Sequence, residues 1–403
     1  MTIQDLNHPK FTGLILLSGV DTPGVTEALF QTLTPFNITI LDMEQVTIRG
    51  RLILTALIEL DPAHALAIEE DLTTFASEID LDFAIDFTKV ENSAISTQSL
   101  HIVVLAEKLK PTAIAAIARG ISAHDGNIER FRRTASFPLT AIEFDVSLPE
   151  SGSPKDLQRD LATIGMNEKI DLSVEVGGLT RRSKRIVLLD MDSTFIQQEV
   201  LDLLADEANV GSEVRTITEQ AMEGELDFTA SLTTRVALLA GLPERSLESV
   251  RGKIELTSGA RTLVRTLHRL GHKVGIVSGG FTNVIAGIAE EMKLDYFEAN
   301  TLEISNGALT GKLVGPIIDG AAKAQALRRF AEREGVPLAQ TIAIGDGAND
   351  LDMIKTAGLG IAFNAKPVVK AAADSSISVP YLDAVLFLIG ITGAEIEEAD
   401  RSS

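Results

Sequence analysis

Several residue types are missing from this 403-residue sequence or are scarce in it. There is no cysteine and no tryptophan, and aromatic residues make up 4% of the chain. Without cysteine, a disulfide, a catalytic thiol and a thiolate metal site are all excluded. The scarcity of aromatic side chains argues against a surface that stacks the bases of a nucleic acid.

Basic residues are also in the minority, at 36 against 57 acidic residues, so the formal net charge is −21. This balance argues against nucleic acid or an anionic membrane surface as the main partner. No apolar run approaches the roughly 20 residues that a membrane-spanning helix needs. We therefore expect a soluble, cytoplasmic enzyme. An anionic substrate would need a local positive site, made by a metal ion and a few Lys or Arg side chains.

The apolar residues, at 45% of the chain, recur in a pattern that repeats. Residues 11–90 predict the order strand, helix, strand, strand, helix, strand, and residues 100–177 predict the same order again. Two such βαββαβ units in tandem are a ferredoxin-like duplication. In the first unit Gly19, Asp21 and Gly24 lie between the first strand and the first helix, where free backbone N–H groups can hold a carboxylate.

With this topology and this loop, the two units resemble ACT domains, which are small regulatory modules that bind amino acids. The resemblance implies a homodimer and an amino-acid effector, with serine as the expected ligand, at Gly19, Asp21 and Gly24. The second unit has Lys110 and Pro111 at the corresponding place and lacks the glycines, so we expect about one competent loop per chain. The alternative for the loop is a plain helix-capping turn.

A second kind of pattern begins at residue 185. Residues 186–189 are apolar and predict a buried parallel strand, which ends in Asp190 and Asp192. Chemistry in an open α/β sheet lies beyond the carboxyl ends of the strands. A carboxylate there acts as a nucleophile or as an oxygen ligand for magnesium. Taken alone, the two acids also suit a turn that caps a helix.

The organisation after this strand is unusual for a simple α/β fold. About 70 helix-rich residues separate it from the next βα unit, which is too many for a plain crossover and predicts a helical cap over the site. We predict ACT-like domains over residues 1–95 and 96–178, and a linker over 179–184. The catalytic α/β domain covers 185–395 with its cap at about 197–260, and a frayed acidic tail covers 396–403.

Four short features follow predicted strands or begin predicted helices, in this order: Asp190 with Asp192, Ser278 with Gly279, Lys323, and Asp346 with Asn349 and Asp350. In this order they resemble the haloacid dehalogenase superfamily of aspartate-nucleophile phosphatases. The resemblance implies a Rossmann-like core with an inserted helical cap, behind the two ferredoxin-like domains.

The same residues imply a Mg²⁺ ion and a single general acid–base residue. Asp190 is the expected nucleophile, ionised at neutral pH if its pKa is near the usual value of about 3.9. A Mg²⁺ ion bound by Asp190, Asp346 and the backbone oxygen of Asp192 would remove the repulsion between the carboxylates, with Asp350 supporting the site. The Asp192 carboxylate is then free to protonate the leaving alkoxide and to deprotonate water.

The remaining features suit a phosphoryl group. Ser278 and the Gly279 amide can donate hydrogen bonds to its oxygens, and a glycine permits close approach of the backbone. Lys323 supplies a positive charge, both to the phosphoryl oxygens and to the surrounding acids. Asn349 can reach the phosphate from the loop that carries Asp346 and Asp350.

Residues in the predicted cap narrow the substrate. Glu199, Met222, Phe228 and Arg235 look like the pattern of the branch of this superfamily that acts on O-phospho-L-serine, in the last step of serine biosynthesis. By this resemblance Glu199 holds the substrate ammonium and Arg235 its carboxylate, which an Arg fork matches bidentately. Met222 and Phe228 would exclude water on closure.

Two other functions stay open. The enzyme could pass the phosphoryl group to an alcohol other than water, which makes it a phosphotransferase. Alternatively, the chain could be an amino-acid sensor with an inactive phosphatase fold, although none of the expected catalytic residues is missing.

Overall fold

A computed structural model describes residues 10–90, 97–177, 183–222 and 227–401, with the side chains of Lys10, Val90 and Met222 outside that description. Most of the predicted linker, at 179–182, and the last two residues of the predicted tail also lie outside it. The chain divides into two compact units, Met1–Ile95 and Ser96–Ser403. Within the described ranges, no helix is both long and apolar enough to cross a membrane.

The first unit is a four-stranded antiparallel sheet with two helices. Its strands and helices, in chain order, are β1 (Lys10–Val20), α1 (Val25–Leu33), β2 (Thr39–Ile48), β3 (Arg51–Glu59), α2 (Ala65–Glu78) and β4 (Leu81–Val90). The strands lie in the order β2-β3-β1-β4. The predicted βαββαβ order is confirmed.

The two faces of this sheet differ sharply. One face packs its apolar side chains, among them Ile15, Leu17 and Leu54, against Leu29 of α1 and Leu72 of α2. The other face carries large apolar side chains that are exposed: Leu14, Leu16, Val46, Ile48 and Ile53. Because strand side chains alternate between faces, both sets come from the same strands.

The second ACT-type domain repeats this arrangement in the second unit. Its elements are β5 (Thr97–Ala106), α3 (Pro111–Ser122), β6 (Asn127–Ala135), β7 (Thr140–Pro149), α4 (Pro154–Glu168) and β8 (Asp171–Val176). Leu100, Ile102 and Val104 of β5 face α3 and α4 and form this domain's own core.

The catalytic half contains parallel strands, helices and an antiparallel hairpin. Its strands are β9 (Ile186–Leu189), β10 (Lys273–Phe281), β11 (Tyr296–Ser305), β12 (Ala308–Val314), β13 (Thr341–Gly345), β14 (Leu359–Phe363) and β15 (Ser375–Ile377). Its helices are α5 (Val200–Glu207), α6 (Gly211–Met222), α7 (Phe228–Ala237), α8 (Ser246–Arg251), α9 (Ala260–Arg269), α10 (Thr282–Glu291), α11 (Gly320–Glu334), α12 (Leu351–Thr356), α13 (Pro367–Lys370), α14 (Ala384–Leu388) and α15 (Gly393–Arg401).

Strand β9 lies in the middle of the catalytic sheet. It pairs in parallel with β10 on one side and with β13 on the other. All four residues of β9 are buried, as expected for a parallel strand that is covered on both faces. The carboxyl ends of β9, β10 and β13 therefore meet at one edge of the sheet. Helices α5 to α8 are inserted after β9, where a helical cap was predicted.

The second ACT-type domain is continuous with the catalytic sheet. One eleven-stranded sheet runs β12-β11-β10-β9-β13-β14-β15-β8-β5-β7-β6, and its junction is the antiparallel bridge between Ser375 of β15 and Ser173 of β8. The Asp171 carboxylate strengthens the junction, because it accepts a hydrogen bond from the Ser378 amide at 2.6 Å. Val103 and Leu105 of β5 are buried in the same apolar cluster as Val187 and Leu189 of β9.

Two predicted boundaries differ from the structure. The cap predicted at about 197–260 has its first helix only from Val200, where the Asp192 side chain accepts a hydrogen bond from the first helical amide. The frayed tail predicted near the C-terminus is wrong for residues up to 401, because α15 is helical and the Asp400 carboxylate accepts hydrogen bonds from Arg265 and Arg269.

Candidate active site

Asp190 stands at the carboxyl end of β9, at the centre of the site. Its amide donates to the Ile344 carbonyl of β13 at 2.9 Å, which continues the pairing of the two strands. Its Oδ1 accepts a hydrogen bond from the Met191 amide at 2.7 Å. The chain then makes a single wide turn, closed by a 2.9 Å hydrogen bond from the Ile196 amide to the Met191 carbonyl. Asp190 is thus buried and held in one orientation.

Three carboxylates, those of Asp190, Asp346 and Asp350, converge within 4.8 Å of one another. The Nζ of Lys323, a fully buried residue, lies 2.7 Å from Oδ1 of Asp190 and 2.7 Å from Oδ1 of Asp350. One ammonium facing three carboxylates leaves two negative charges uncompensated when all are ionised. A divalent cation would balance them, and a set of hard carboxylate oxygens suits Mg²⁺. The donor set therefore fits the expected metal.

The pKa values of these groups reflect the crowding. Burial, together with the charge of Asp350, raises the pKa of Asp190 well above its usual value. Burial and Asp350 likewise raise the pKa of Asp346 to about 7. Burial alone would lower the pKa of Lys323, but Asp190 and Asp350 raise it. The ordinary pKa expected for Asp190 is therefore wrong for the cation-free site, since burial favours the neutral acid.

Asp192 has hydrogen-bond partners outside this carboxylate cluster. Its Oδ1 accepts a hydrogen bond from the Val200 amide at 2.8 Å and its Oδ2 accepts one from the Ser278 hydroxyl at 3.1 Å. Burial and the charge of Glu199 raise the pKa of Asp192 to about 7. A carboxyl group with such a pKa can both give and take a proton near neutral pH.

The loop at the end of β10, residues 278–280, approaches Asp192 closely. Ser278 is fully buried, and its Oγ accepts a hydrogen bond from the Gly280 amide at 2.8 Å. A Cβ atom at Gly280 would lie 2.7 Å from Oδ2 of Asp192, so only glycine fits there. We call residues 278–280 the phosphate loop, because the sequence predicts phosphoryl contacts from Ser278 and Gly279.

The loop after β13 positions Asp350 in the carboxylate cluster through backbone hydrogen bonds. Oδ2 of Asp350 accepts hydrogen bonds from the Asp346 amide at 3.1 Å and from the Gly347 amide at 3.0 Å. Asn349 is half-buried in the same loop, and its side-chain oxygen lies where a Cβ atom at Gly347 would be. The backbone donors thus hold Asp350 and shape the loop that carries Asp346.

The structure also brings forward residues that the sequence did not single out. The Thr194 hydroxyl donates to Oδ1 of Asp346 at 3.2 Å, and the Thr257 hydroxyl donates to the Thr194 carbonyl at 2.7 Å. Asn300 of β11 bonds the phosphate loop through its side chain. The position of Thr194, two residues after Asp192, could have indicated a role in the site. Asn300 lies in an ordinary hairpin strand, and nothing in the sequence around it indicates such a role.

The predicted cap residues lie around the same opening. The Ser193 hydroxyl donates to Oε1 of Glu199 at 2.7 Å. The Phe228 ring reaches the phosphate loop, where its Cζ would lie 3.3 Å from a Cβ atom on Gly279. Burial lowers the pKa of the half-buried Arg235, while Asp202 and Glu199 act to raise it. Glu199 and Arg235 therefore share one electrostatic environment.

The predicted regulatory loop lies in the first unit. Gly19 is a strand residue, and a Cβ atom there would overlap the Leu81 side chain. Gly24 precedes α1 with a φ of 98°, which favours glycine. The Asp21 carboxylate accepts a hydrogen bond from the Thr47 hydroxyl at 3.0 Å. Packing and backbone conformation thus explain both glycines, and the Asp21 carboxylate is held by Thr47 of β2.

Comparison with known families agrees with this architecture. Residues 187–355 match the haloacid dehalogenase-like hydrolase family, and residues 12–86 and 98–175 each match an ACT domain family. Among solved structures, a haloacid dehalogenase family hydrolase from Salmonella enterica superposes with a TM-score of 0.64 at 30% identity, covering 72% of this chain and 99% of that one. The fold and the site define a haloacid dehalogenase-like hydrolase with two ACT domains.

Full-length relatives make the family more specific. The phosphoserine phosphatase SerB2 of Mycobacterium tuberculosis is 47% identical over 97% of this chain and 96% of its own length. The phosphoserine phosphatase of Streptomyces coelicolor is 48% identical over 96% of this chain and 94% of its own. This chain therefore belongs to the phosphoserine phosphatase family. The predicted enzyme class and the predicted fold are confirmed.

Proposed function

We propose that this protein hydrolyses O-phospho-L-serine to L-serine and phosphate through a phosphorylated Asp190, with Mg²⁺ as the cofactor. The observation that carries the proposal is the pairing of two differently held carboxylates at one strand end. Asp190 lies against Lys323 in the carboxylate cluster, whereas Asp192 lies against Ser278 with a pKa of about 7. Asp190 is therefore placed to attack the phosphorus atom, and Asp192 is placed to transfer protons.

In the first step the ionised carboxylate of Asp190 attacks the phosphorus atom. The positive charge of Lys323 favours this ionised form, because it acts to lower the pKa of Asp190. Its Oδ1 is already engaged by the Met191 amide and by Lys323, which leaves Oδ2 to form the new P–O bond. The P–O bond to serine breaks, its electron pair stays on the serine oxygen, and Asp192 gives that oxygen its proton. Lys323 stabilises the charge that collects on the phosphoryl oxygens.

In the second step water attacks the phosphorus atom of phospho-Asp190. Asp192, now ionised, takes a proton from that water, and the P–O bond to Asp190 breaks to release phosphate. The short bond from the Val200 amide holds Asp192 in place for both transfers. The Gly279 amide and Asn349 would hold the phosphoryl oxygens throughout. The Ser278 hydroxyl, which here donates to Asp192, would turn its proton to a phosphoryl oxygen when substrate binds.

Asp190, Asp346 and the Asp192 backbone oxygen would hold Mg²⁺. The ion, when bound, would offset the negative charge of the carboxylates and of the phosphoryl group. Asp350 is better suited to a supporting role, because its two oxygens already accept bonds from Lys323 and from two backbone amides. It thereby fixes the position of Asp346.

For the serine part of the substrate, we assign the ammonium group to Glu199 and the carboxylate to Arg235. The hydrogen bond from Ser193 orients Glu199, and the partial burial of Arg235 strengthens any ion pair that it forms. Phe228 beside Gly279 would exclude water from the phosphoryl group, and we propose the same for Met222.

The test is phosphate release from phosphoserine, phosphothreonine and an aryl phosphate, with and without Mg²⁺. Asp190→Asn should abolish turnover of all three while the protein stays folded. Arg235→Ala should cost about 2–4 kcal/mol on phosphoserine and much less on the aryl phosphate, which has no carboxylate. Equal losses on both substrates would refute the substrate assignment. Release that falls when an alcohol such as homoserine is added would indicate a phosphotransferase.

We also propose that the first ACT domain is regulatory and that the protein is a homodimer. The free amides at the start of α1 can receive the carboxylate of an amino acid such as serine, and Asp21 can receive its ammonium. The exposed apolar face of the first sheet includes Leu14, Leu16 and Ile53, and burial of such a face against a second copy would be favourable. A dimer would then link the two chains through this face.

A further inference from the structure

We propose that Asn300 is a positioning residue of the phosphatase reaction, which fixes the phosphate loop in the orientation that receives the phosphoryl group. The proposal rests on the proposed function and deepens it. Within the described part of the chain, the Asn300 side chain hydrogen-bonds Gly279 and Ile318, and the proposal assigns the residue to the reaction through the loop that it holds.

Asn300 is almost fully buried, with 2% of its surface exposed, and both ends of its side-chain amide are used. Its Nδ2 donates to the Gly279 carbonyl at 2.8 Å, and its Oδ1 accepts from the Ile318 amide at 2.8 Å. Because it must donate to one partner and accept from the other, no carboxylate or aliphatic side chain of this size serves both.

The first of these bonds controls the Gly279–Gly280 peptide. The Gly279 carbonyl is held by Asn300, and the amide on the other side of that peptide, Gly280 N, donates to the Ser278 hydroxyl oxygen at 2.8 Å. A trans peptide is planar with its C=O and N–H pointing in opposite directions. The peptide is therefore fixed at both ends.

This fixed peptide determines where the Ser278 proton points. Since the hydroxyl oxygen already accepts from Gly280, its proton is directed to Oδ2 of Asp192, 3.1 Å away. A continuous series of hydrogen bonds thus runs from Asn300 through the loop to the proposed acid–base residue. Turning the Gly279–Gly280 peptide would disturb both the Ser278 hydroxyl and the loop backbone that faces the phosphate.

The second bond ties the loop to the opposite wall of the site. Ile318 immediately precedes Asp319, whose carboxylate caps α11 by accepting from the Ala322 amide at 2.8 Å. Helix α11 carries Lys323, which lies against Asp190. Asn300 therefore sets the spacing between the phosphate loop and the helix that supplies the positive charge.

The chain offers a matched control for this residue. Asn283 of α10 makes the same two kinds of bond, from its Nδ2 to the Leu302 carbonyl at 3.3 Å and to its Oδ1 from the Leu302 amide at 2.8 Å. Leu302 lies two residues beyond Asn300 on the same strand. Asn283 thus has the hydrogen-bonding chemistry of Asn300 at a less buried position, and among the described residues its side chain bonds Leu302 and not the phosphate loop.

The experiment compares Asn300→Asp with Asn283→Asp in the full chain. Each change keeps the side-chain volume and replaces a donor by an oxygen that faces a carbonyl. We expect Asn300→Asp to lower kcat/KM for phosphoserine by about 10²-fold. The displaced phosphate loop would lose one preorganised donor to the phosphoryl group, and a loss of that kind costs about this much. It should also raise the inhibition constant of inorganic phosphate by roughly tenfold. Asn283→Asp should change both by no more than about twofold.

The phosphate constant separates positioning from simple loss of structure. A variant that is partly unfolded has fewer active molecules, which lowers the rate but leaves the inhibition constant of inorganic phosphate unchanged. Equal effects of the two Asp variants on that constant would overturn the proposal. If Asn300→Asp does not fold, Asn300→Ser is measured by the same two constants and the same criteria apply to it.

Failure of the proposed function would look different. A wild-type protein that hydrolyses an aryl phosphate but not phosphoserine would contradict the substrate assignment alone. The comparison of Asn300→Asp with Asn283→Asp would then be made on the aryl phosphate and on inorganic phosphate, where the predicted differences remain.

Discussion

The two ACT domains have one topology and put the same face of the sheet to different uses. Leu16 of β1 and Val103 of β5 occupy equivalent positions in the two repeats, yet Leu16 is 41% exposed and Val103 is 1% exposed. Ile53 of β3 and Ala141 of β7 differ in the same way, at 42% and 0%. In the first domain this face of the sheet is exposed, and in the second it is buried against the core of the catalytic half.

The difference shows that duplication of a fold does not duplicate its role. The second domain extends the catalytic sheet through β8 and β15, and helices α14 and α15 pack near β5 and β6. Its inner face alone forms a separate core. The first domain is a compact unit with a core of its own. We therefore expect the second domain to support catalysis structurally and the first to be dispensable for it.

Truncation should give the largest difference between the two ACT domains. A chain that begins at residue 96 should keep the phosphatase activity and the thermal midpoint of the catalytic unit. A chain that begins at residue 183 loses the strands that cover the apolar cluster around Val187 and Leu189. With about 1.5–3 kcal/mol for each large side chain uncovered, the loss should reach about 5 kcal/mol. Calorimetric unfolding measures both chains.

Equal unfolding midpoints for the two truncated chains would mean that the second ACT domain does not stabilise the catalytic half. The control is far-ultraviolet circular dichroism, which shows whether each chain is folded before its activity is compared.

Substitutions at the equivalent positions Val103 and Leu16 test whether the face is buried in the second domain and exposed in the first. Val103→Asp buries an unpaired charge opposite Glu143, its cross-strand neighbour, and should cost about 3–5 kcal/mol of the catalytic unit's stability. Leu16→Asp places the same charge on an exposed face and should change stability by about 0.5 kcal/mol or less. Denaturant unfolding followed by phosphatase activity separates them, and comparable losses in both variants would contradict the assignment of the two faces.

The pH dependence of stability should distinguish the two units as well. Burial raises the pKa of Asp192 and of Asp346 to about 7, so the folded state holds protons that the unfolded state has released. Without Mg²⁺, the catalytic unit should therefore lose stability as the pH rises from about 4 to 7, by at most about 1.4 kcal/mol per pH unit for each group.

Adding Mg²⁺ should flatten that dependence, because a bound cation favours the ionised carboxylates. Unfolding of the chain beginning at residue 96, measured at several pH values with and without the ion, tests this. A slope that Mg²⁺ does not change would argue against a metal site at Asp190, Asp346 and Asp350.

The sequence alone predicted the order of elements in both ACT domains and the residues at the ends of β9, β10 and β13. Such signals are local, because a motif and the strand before it lie side by side in the chain. The open and covered faces could not be predicted, since residues 14–17 of β1 are all apolar although two of them are exposed. Asn300 was missed for a similar reason, because its partners at Gly279 and Ile318 are distant in the chain.

The smallest expected effect concerns the loop at residues 19–24, which only the first domain has in this form. Within the described ranges, no side chain caps the amides at the start of α1, so they can receive a carboxylate. Gly24 keeps the approach open, since no described atom outside Gly24 and its chain neighbours lies within 4 Å of where its Cβ would be. In the second domain Lys110 and Pro111 begin the equivalent helix, and the proline has no amide to offer. Serine should therefore bind at the first loop only.

Titration calorimetry with serine on the wild type, on Asp21→Ala and on the chain beginning at residue 96 tests this asymmetry. The wild type should bind serine at the loop with a coupling to the phosphatase site of about 1–3 kcal/mol, or roughly a 5- to 150-fold change in affinity. Asp21→Ala should weaken that event, because the carboxylate that Thr47 orients is the proposed partner of the ammonium group. The shortened chain should lose it and keep any binding in the catalytic pocket. If all three proteins bind serine alike, the ligand occupies only that pocket, and the open face of the first domain serves dimerisation without sensing.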